Sequence, residues 1–284
     1  MVLGWRGTGT VSDAINDAAA TPQSSFAWRK HAKTIKAQGA MTSIVINDVV
    51  THEEFIIKEI QKRGIKEIIT TGQSLGGGCS QLGHMVLRAQ IQDETSPWNV
   101  LDGKVNVRSV AFCGPMTTVL LNNASDETDE FLQQIDDNSV NFIFNNDPVP
   151  RGYGYLTFIE DLIENAAPSL LKESVPWFIR RTLNLRDKME DLYEKKDSKA
   201  VQDMVKVFSK YQHMGKLIYY AEEDAKPQVV RDMGAFYANP AGDQDILRDI
   251  KYQPIKTFSF DEALRWHMHI ITGPGLAYPE EHLH

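Results

Sequence analysis

Residues 65–88 hold the feature that most constrains what this chain can fold into. A β-branched run, Ile65 to Thr71, leads into a glycine-rich turn, Gly72 to Gly78. A helical pattern follows, Cys79 to Arg88, with Leu82, Met85 and Val86 on one face. Inside the turn, Gly72-Gln73-Ser74-Leu75-Gly76 is a G-x-S-x-G sequence. A serine at a sharp strand-to-helix turn projects its hydroxyl from the edge of a sheet, and glycines on both sides let the backbone crowd there without a Cβ clash. The helix N-terminus that follows presents backbone N–H groups to a developing oxyanion. A bare match arises by chance in roughly one chain in ten. Its setting between a strand and a helix is what gives it meaning.

The rest of the chain fits the same architecture. Val2 to Trp5 reads as a strand end running into the turn Arg6-Gly7-Thr8-Gly9. Ser43 to Val50 is apolar and β-branched and is expected to be a strand. Thr51-His52-Glu53-Glu54 has the form of a capping box, with Thr51 as cap and Glu54 reaching back, and Gly64 after Lys62-Arg63 marks a helix end. Val105 to Phe112, Val140 to Asn145 and Lys216 to Tyr220 are further strand candidates. Strands alternating with helices predict an α/β fold with a mostly parallel sheet flanked by helices. Residues 151–211 read as a mostly helical insertion within one domain spanning 1–284.

Composition narrows the function classes. A formal net charge of −8 and no strong basic run make nucleic acid an unexpected partner. No apolar stretch reaches the ~20 residues of a membrane span. Two cysteines, Cys79 and Cys113, are too few for a disulfide framework and are expected as buried thiols. The loop Gly4 to Gly9 lacks the G-K-S/T ending of a Walker A loop and the spacing of a dinucleotide fingerprint.

Five separated segments resemble the class 3 lipase family, in the family's order. Trp5-Arg6-Gly7-Thr8 is similar to its R-G-S/T turn, and Thr70 to Gly77 to its nucleophile elbow T-G-H-S-L-G-G. Phe112-Cys113-Gly114-Pro115 resembles an F/Y-G-x-P turn, and Asp147-Pro148-Val149-Pro150-Arg151 a D-x-V-P-R acid loop. Tyr211-Gln212-His213-Met214-Gly215 resembles the segment before a late strand. The resemblance implies an α/β-hydrolase fold, no metal or organic cofactor, and a Ser-Asp-His triad in that chain order. Carried over residue by residue, Ser74 is the nucleophile, Asp147 the acid, and Thr8 and the Leu75 N–H the oxyanion hole. Two departures stand out. Gln73 occupies the position of the family's histidine beside the serine. The chain also starts at the Arg-Gly-Thr strand, so an N-terminally truncated chain is expected. The start of the chain shows no secretory signal, which favours a cytoplasmic location unless a leader is missing.

The triad histidine must follow Asp147, which leaves His213, His267, His269, His282 and His284. The last two lie in the final three residues, and His213 reads as structural. His267, followed by Met268, His269, Ile270 and Ile271, fits the family's pattern better than His269. The implied activity is hydrolysis of a carboxylic ester of a lipid, as in a triacylglycerol lipase; the alternatives are a phospholipase A1, a soluble-ester esterase, or a lipase-like binding or signalling protein without turnover. A lipid surface is the expected partner. Phe26, Trp28 and the cations Arg29, Lys30, Lys33 and Lys36 form the stretch that would face it, unless the aromatics pack inward.

Overall fold

The computed structural model describes residues 1–7, 22–121, 125–144, 147, 149–150, 211–220 and 226–230. Statements about structure refer to these residues. The frame is a six-stranded sheet built from β1 (Val2–Trp5), β4 (Glu67–Gln73), β5 (Asn106–Phe112), β7 (Ser139–Phe144), β9 (Lys216–Tyr220) and β10 (Gln228–Val230), in the order β1-β4-β5-β7-β9-β10. All its pairings are parallel except β9 with β10. A second, antiparallel sheet joins β2 (Pro22–Gln23), β3 (Ile35–Gln38), β6 (Thr118–Leu120) and β8 (Tyr211–Gln212). The parallel α/β architecture read from the sequence is therefore the one observed.

Four helices flank the main sheet: α1 (Gly39–Thr51), α2 (Glu53–Arg63), α3 (Leu75–Gln92) and α4 (Asp126–Asp137). Helix α3 is the central one. It packs on β4 and β5, on α1, and on a 3₁₀ turn, Pro97–Leu101. Every residue from Leu75 to Leu87 is buried, so α3 carries no solvent stripe over most of its length. Leu82, Met85 and Leu87 are fully enclosed, each contributing about 1.5–3 kcal/mol by burial.

Two local expectations give way to the structure. Ser43 to Val50 belongs to helix α1, not a strand. Gln38 caps that helix, its side-chain oxygen accepting from the Met41 N–H at 2.6 Å, and Met41, Val45 and Val49 recur every four residues on the buried face. Because α1 runs to Thr51, that threonine is helical and cannot act as a cap. His52 takes the cap position of α2 and makes no side-chain cap bond. The other end of α2 is as read: Gly64 adopts φ 63°, a left-handed cap behind Lys62 and Arg63. The turn expected over Gly72 to Gly78 is also shorter, since β4 continues to Gln73 and α3 begins at Leu75. Residues 151–210, nearly all of the expected helical insertion, lie outside the described residues. Tyr211, its last residue, begins β8. Cys79 and Cys113 are both buried and form no disulfide.

Helix α3 also encloses an unusual group. His84 is 0% exposed, and among the described residues neither ring nitrogen has a hydrogen-bond partner of sound geometry. Burial, and secondarily the Arg88 charge one turn on, lower its pKa from 6.5 to about 3. The unfolded chain thus takes up a proton near pH 6.5 that the folded chain refuses until about pH 3. Stability from this site is complete above pH 6.5 and falls as pH drops through that window. Urea unfolding should show wild type losing about 3 kcal/mol more than His84→Leu between pH 6.5 and pH 4. Parallel pH dependences for the two proteins would contradict a neutral, buried His84.

Candidate active site

Ser74 joins β4 to α3 with φ 59° and ψ −127°. It is one of two non-glycine residues with positive φ among the described residues, the other being Cys113 at 51°. Such a backbone persists only where the surroundings over-determine it. Here they do: the Ser74 N–H donates to the Phe112 carbonyl at 2.9 Å, and the Ser74 carbonyl accepts from Gly78 N–H at 3.2 Å, opening the helix. Ser74 is 7% exposed.

The flanking glycines answer to a concrete geometry. A Cβ on Gly72 would lie 2.2 Å from the Gly76 carbonyl oxygen and 2.7 Å from that of Trp5. A Cβ on Gly76 would lie 2.2 Å from the Trp5 carbonyl oxygen. The turn after β1 therefore packs backbone to backbone against the elbow. Gly7 continues that contact, because a Cβ there would meet the Gln73 carbonyl at 2.9 Å and the Ser74 Cβ at 3.5 Å. Trp5 is held from the other side by its indole N–H, which donates to Asp48 of α1 at 2.9 Å. Thr8 lies outside the described residues, but its neighbour Gly7 touches the nucleophile turn. Leu75 is the first residue of α3, where leading N–H groups have no acceptor within the helix.

Asp147 follows β7. In the sheet β4, β5 and β7 are successive neighbours, so the serine and the aspartate emerge at the same carboxyl edge with one strand between them. Two strand spacings separate those strands by about 10 Å, and the carboxyl edge is where α/β sheets bind ligands. Asp147 is fully buried. Its N–H donates to Phe144 O at 3.0 Å, and its Oδ1 accepts from Val149 N–H at 2.9 Å.

The acid loop is tied down by residues that motif spacing alone does not single out. His213 is 3% exposed, and its Nε2 donates to the Pro150 carbonyl at 3.0 Å. Its Nδ1 lies 3.4 Å from the Asn141 amide nitrogen, which fits a neutral ring accepting there. Asn141 in turn exchanges two hydrogen bonds with Gly114, at 3.0 and 2.9 Å. Gln81 of α3 donates to Met214 O at 2.9 Å. His213 thus links the segment before β9 to the acid loop and to β7. His267, His269, His282 and His284 lie outside the described residues. Of the aromatic pair expected at a lipid surface, Trp28 is buried at 1% exposure and bonded to Ile35 O at 3.1 Å, while Phe26 is 66% exposed. The cations are partly neutralised: Arg29 pairs with Asp93 at 3.0 Å, and Lys30 lies 3.9 Å from Glu127.

The model of the family described as Lipase (class 3) matches residues 2–155, more than half of the chain. The chain belongs to the class 3 lipase family. The match contains the elbow and the acid loop and ends before either histidine of the Trp266-His267-Met268-His269 segment. Among solved structures, the chain is similar to lipase II from Rhizopus niveus at 15% identity, covering 81% of this chain and 61% of that one with a TM-score of 0.45. It is similar to a lipase from Rhizopus microsporus var. chinensis at 15% identity, covering 81% and 56% with a TM-score of 0.47. A mono- and diacylglycerol lipase from Aspergillus oryzae matches at 15% identity, over 95% and 69%, with a TM-score of 0.46. The chain thus spans about three fifths of the length of the Rhizopus lipases. No curated protein matches it. No helix among the described residues is long and apolar enough to cross a membrane.

The glycine geometry makes a quantitative ranking. Gly76→Ala places a Cβ against rigid backbone and should cost about 3 kcal/mol or more. Gly64→Ala meets nothing within 4 Å and bears only the left-handed φ, about 1 kcal/mol. Urea midpoints should rank wild type above Gly64→Ala and Gly64→Ala well above Gly76→Ala. Equal midpoints for the two variants would contradict the backbone contact at the elbow.

Proposed function

We propose that this class 3 lipase hydrolyses carboxylic esters of glycerolipids through a Ser74-Asp147-His267 triad. The observation that carries the reading is the Ser74 backbone, held at φ 59° between strand and helix with its hydroxyl-bearing Cβ at the edge of the sheet. A structural turn gains nothing from a serine in that conformation; a nucleophile does.

In this reading His267 takes the proton from Ser74 as Oγ attacks the ester carbonyl. Asp147 holds the imidazole tautomer and stabilises the imidazolium. Thr8 and the Leu75 N–H receive the tetrahedral oxyanion. Collapse expels the alcohol, which takes the proton from His267 and leaves an acyl group on Ser74. Water, deprotonated by His267, then attacks that acyl-enzyme, releases the fatty acid and restores the serine. No step needs a metal or cofactor. The substrate proposed is an acylglycerol presented at a lipid surface, toward which the exposed Phe26 is suited.

Activity on an emulsified short-chain triglyceride tests the assignment. Ser74→Ala should lower turnover by several orders of magnitude while leaving the circular dichroism spectrum unchanged. His267→Ala should be as severe, because triad members act as a unit, and His269→Ala should be milder. Asp147→Asn should cost roughly 10⁴ in turnover by holding the wrong tautomer. A wild-type rate for Ser74→Ala removes the reading altogether. A dead His269→Ala beside an active His267→Ala moves the base to His269.

A further inference from the structure

A chain of hydrogen bonds runs from the nucleophile helix to the acid loop through His213. The residue lies in the turn between β8 and β9 and is buried. Its neighbours are held from two helices. Gln81 of α3 donates to the Met214 carbonyl at 2.9 Å, and the Gly215 N–H donates to Asp136 Oδ1 of α4 at 2.9 Å. The bonds around the ring then fix where its proton sits. The Gly114 N–H can only donate and the Gly114 carbonyl can only accept, so Asn141 turns Oδ1 to the first at 3.0 Å and Nδ2 to the second at 2.9 Å. Nδ2 is therefore the atom that lies 3.4 Å from His213 Nδ1. An amide nitrogen does not accept, so Nδ1 turns a lone pair to it. The Pro150 carbonyl cannot donate, so Nε2, 3.0 Å away, carries the proton. Such a ring is neutral and in one tautomer, with its N–H aimed at the acid loop.

We propose that His213 is a positioning residue of the active site, its Nε2–H fixing the place of the Asp147 carboxylate relative to Ser74; this rests on the triad reading above. The Val149 N–H donates to Asp147 Oδ1 at 2.9 Å, which orients the carboxylate. Val149 precedes a proline, and the Pro150 ring sets its own φ, so few torsions separate that N–H from the Pro150 carbonyl. Holding the carbonyl therefore holds the amide, and the amide holds the acid. At the other end the anchor is Gln81, which sits on the helix that begins directly after Ser74. The two triad members thus share a buried linkage that leaves the space above the sheet edge open. The proton stays on Nε2 throughout, and no bond to His213 forms or breaks in the reaction.

Two substitutions of nearly equal size separate the donor from the packing. His213→Gln keeps an N–H for the Pro150 carbonyl, and His213→Met does not. On the emulsified triglyceride, in variants whose circular dichroism matches wild type, His213→Met should lower kcat roughly ten- to a hundredfold, the scale of a misplaced catalytic group. KM should stay within about twofold, and His213→Gln should keep kcat within about threefold of wild type. A residue that acts only through the carboxylate loses its effect when the carboxylate is gone, so in an Asp147→Asn background His213→Met should cost less than about threefold more. The tautomer has its own readout. In nitrogen NMR on protein labelled at histidine, the signal that His213→Gln removes should show a protonated Nε2 and a bare Nδ1. A wild-type kcat in His213→Met, a His213→Gln as slow as His213→Met, the full loss repeated in Asp147→Asn, or a proton on Nδ1 overturns the positioning role alone. A wild-type rate for Asp147→Asn removes the acid from the triad reading, and the positioning role with it.

Discussion

Three stretches of backbone meet at the end of β4 with no room for a side chain between them. The Trp5 carbonyl at the end of β1 faces Gly72 and Gly76, and the turn at Gly7 lies on the Gln73 carbonyl and the Ser74 Cβ. Much else at the site depends on this contact. It fixes the backbone where α3 leaves the sheet, with Ser74 as the N-cap of the helix. It also compels the left-handed serine, since the chain must reverse within one residue while its carbonyl starts a helix and its N–H reaches β5. A backbone contact of this kind is rigid because it has no rotamers to relax. The indole of Trp5 extends it outward to Asp48, which brings α1 into the same unit.

The second half of the site is organised by hydrogen bonds rather than by close approach. Asn141 sits inside β7 and addresses the turn after β5 through Gly114, and His213 reaches from the turn between β8 and β9 to Pro150 in the acid loop. Buried polar networks of this type hold one arrangement because any other leaves a group unsatisfied. The two halves touch where Gly114, in the turn after β5, packs on Gly77 of α3.

The elbow was legible in the sequence because glycine at fixed spacing is a direct record of backbone crowding, and Gly72 and Gly76 have no other use. The strands of the parallel sheet were legible for a related reason: β-branched runs bounded by turn residues have few alternative readings. Ser43 to Val50 was not legible, since Ile, Val and Ile in succession look like a strand while the deciding contacts of Met41, Val45 and Val49 are made with α3. Thr51 looked like a cap because nothing local reveals that the preceding helix already includes it. Helix α4 carries an ordinary signal, Ser125 accepting from Thr128 N–H behind an acidic first turn, and a reading centred on the elbow passes over it. Asn141 was not legible either: its bonds to Gly114 exist only once β7 lies beside β5, which no pattern along the chain encodes.

An activated serine differs chemically from every other serine in the chain, and that difference can be read without choosing a substrate. Treatment of the folded protein with a fluorophosphonate, followed by digestion and mass spectrometry, locates the residue that attacks phosphorus. The expected result is a single adduct on the peptide containing Ser74, formed in the folded protein and absent after denaturation in urea. Labelling elsewhere, or none at Ser74, would contradict a nucleophile at the elbow.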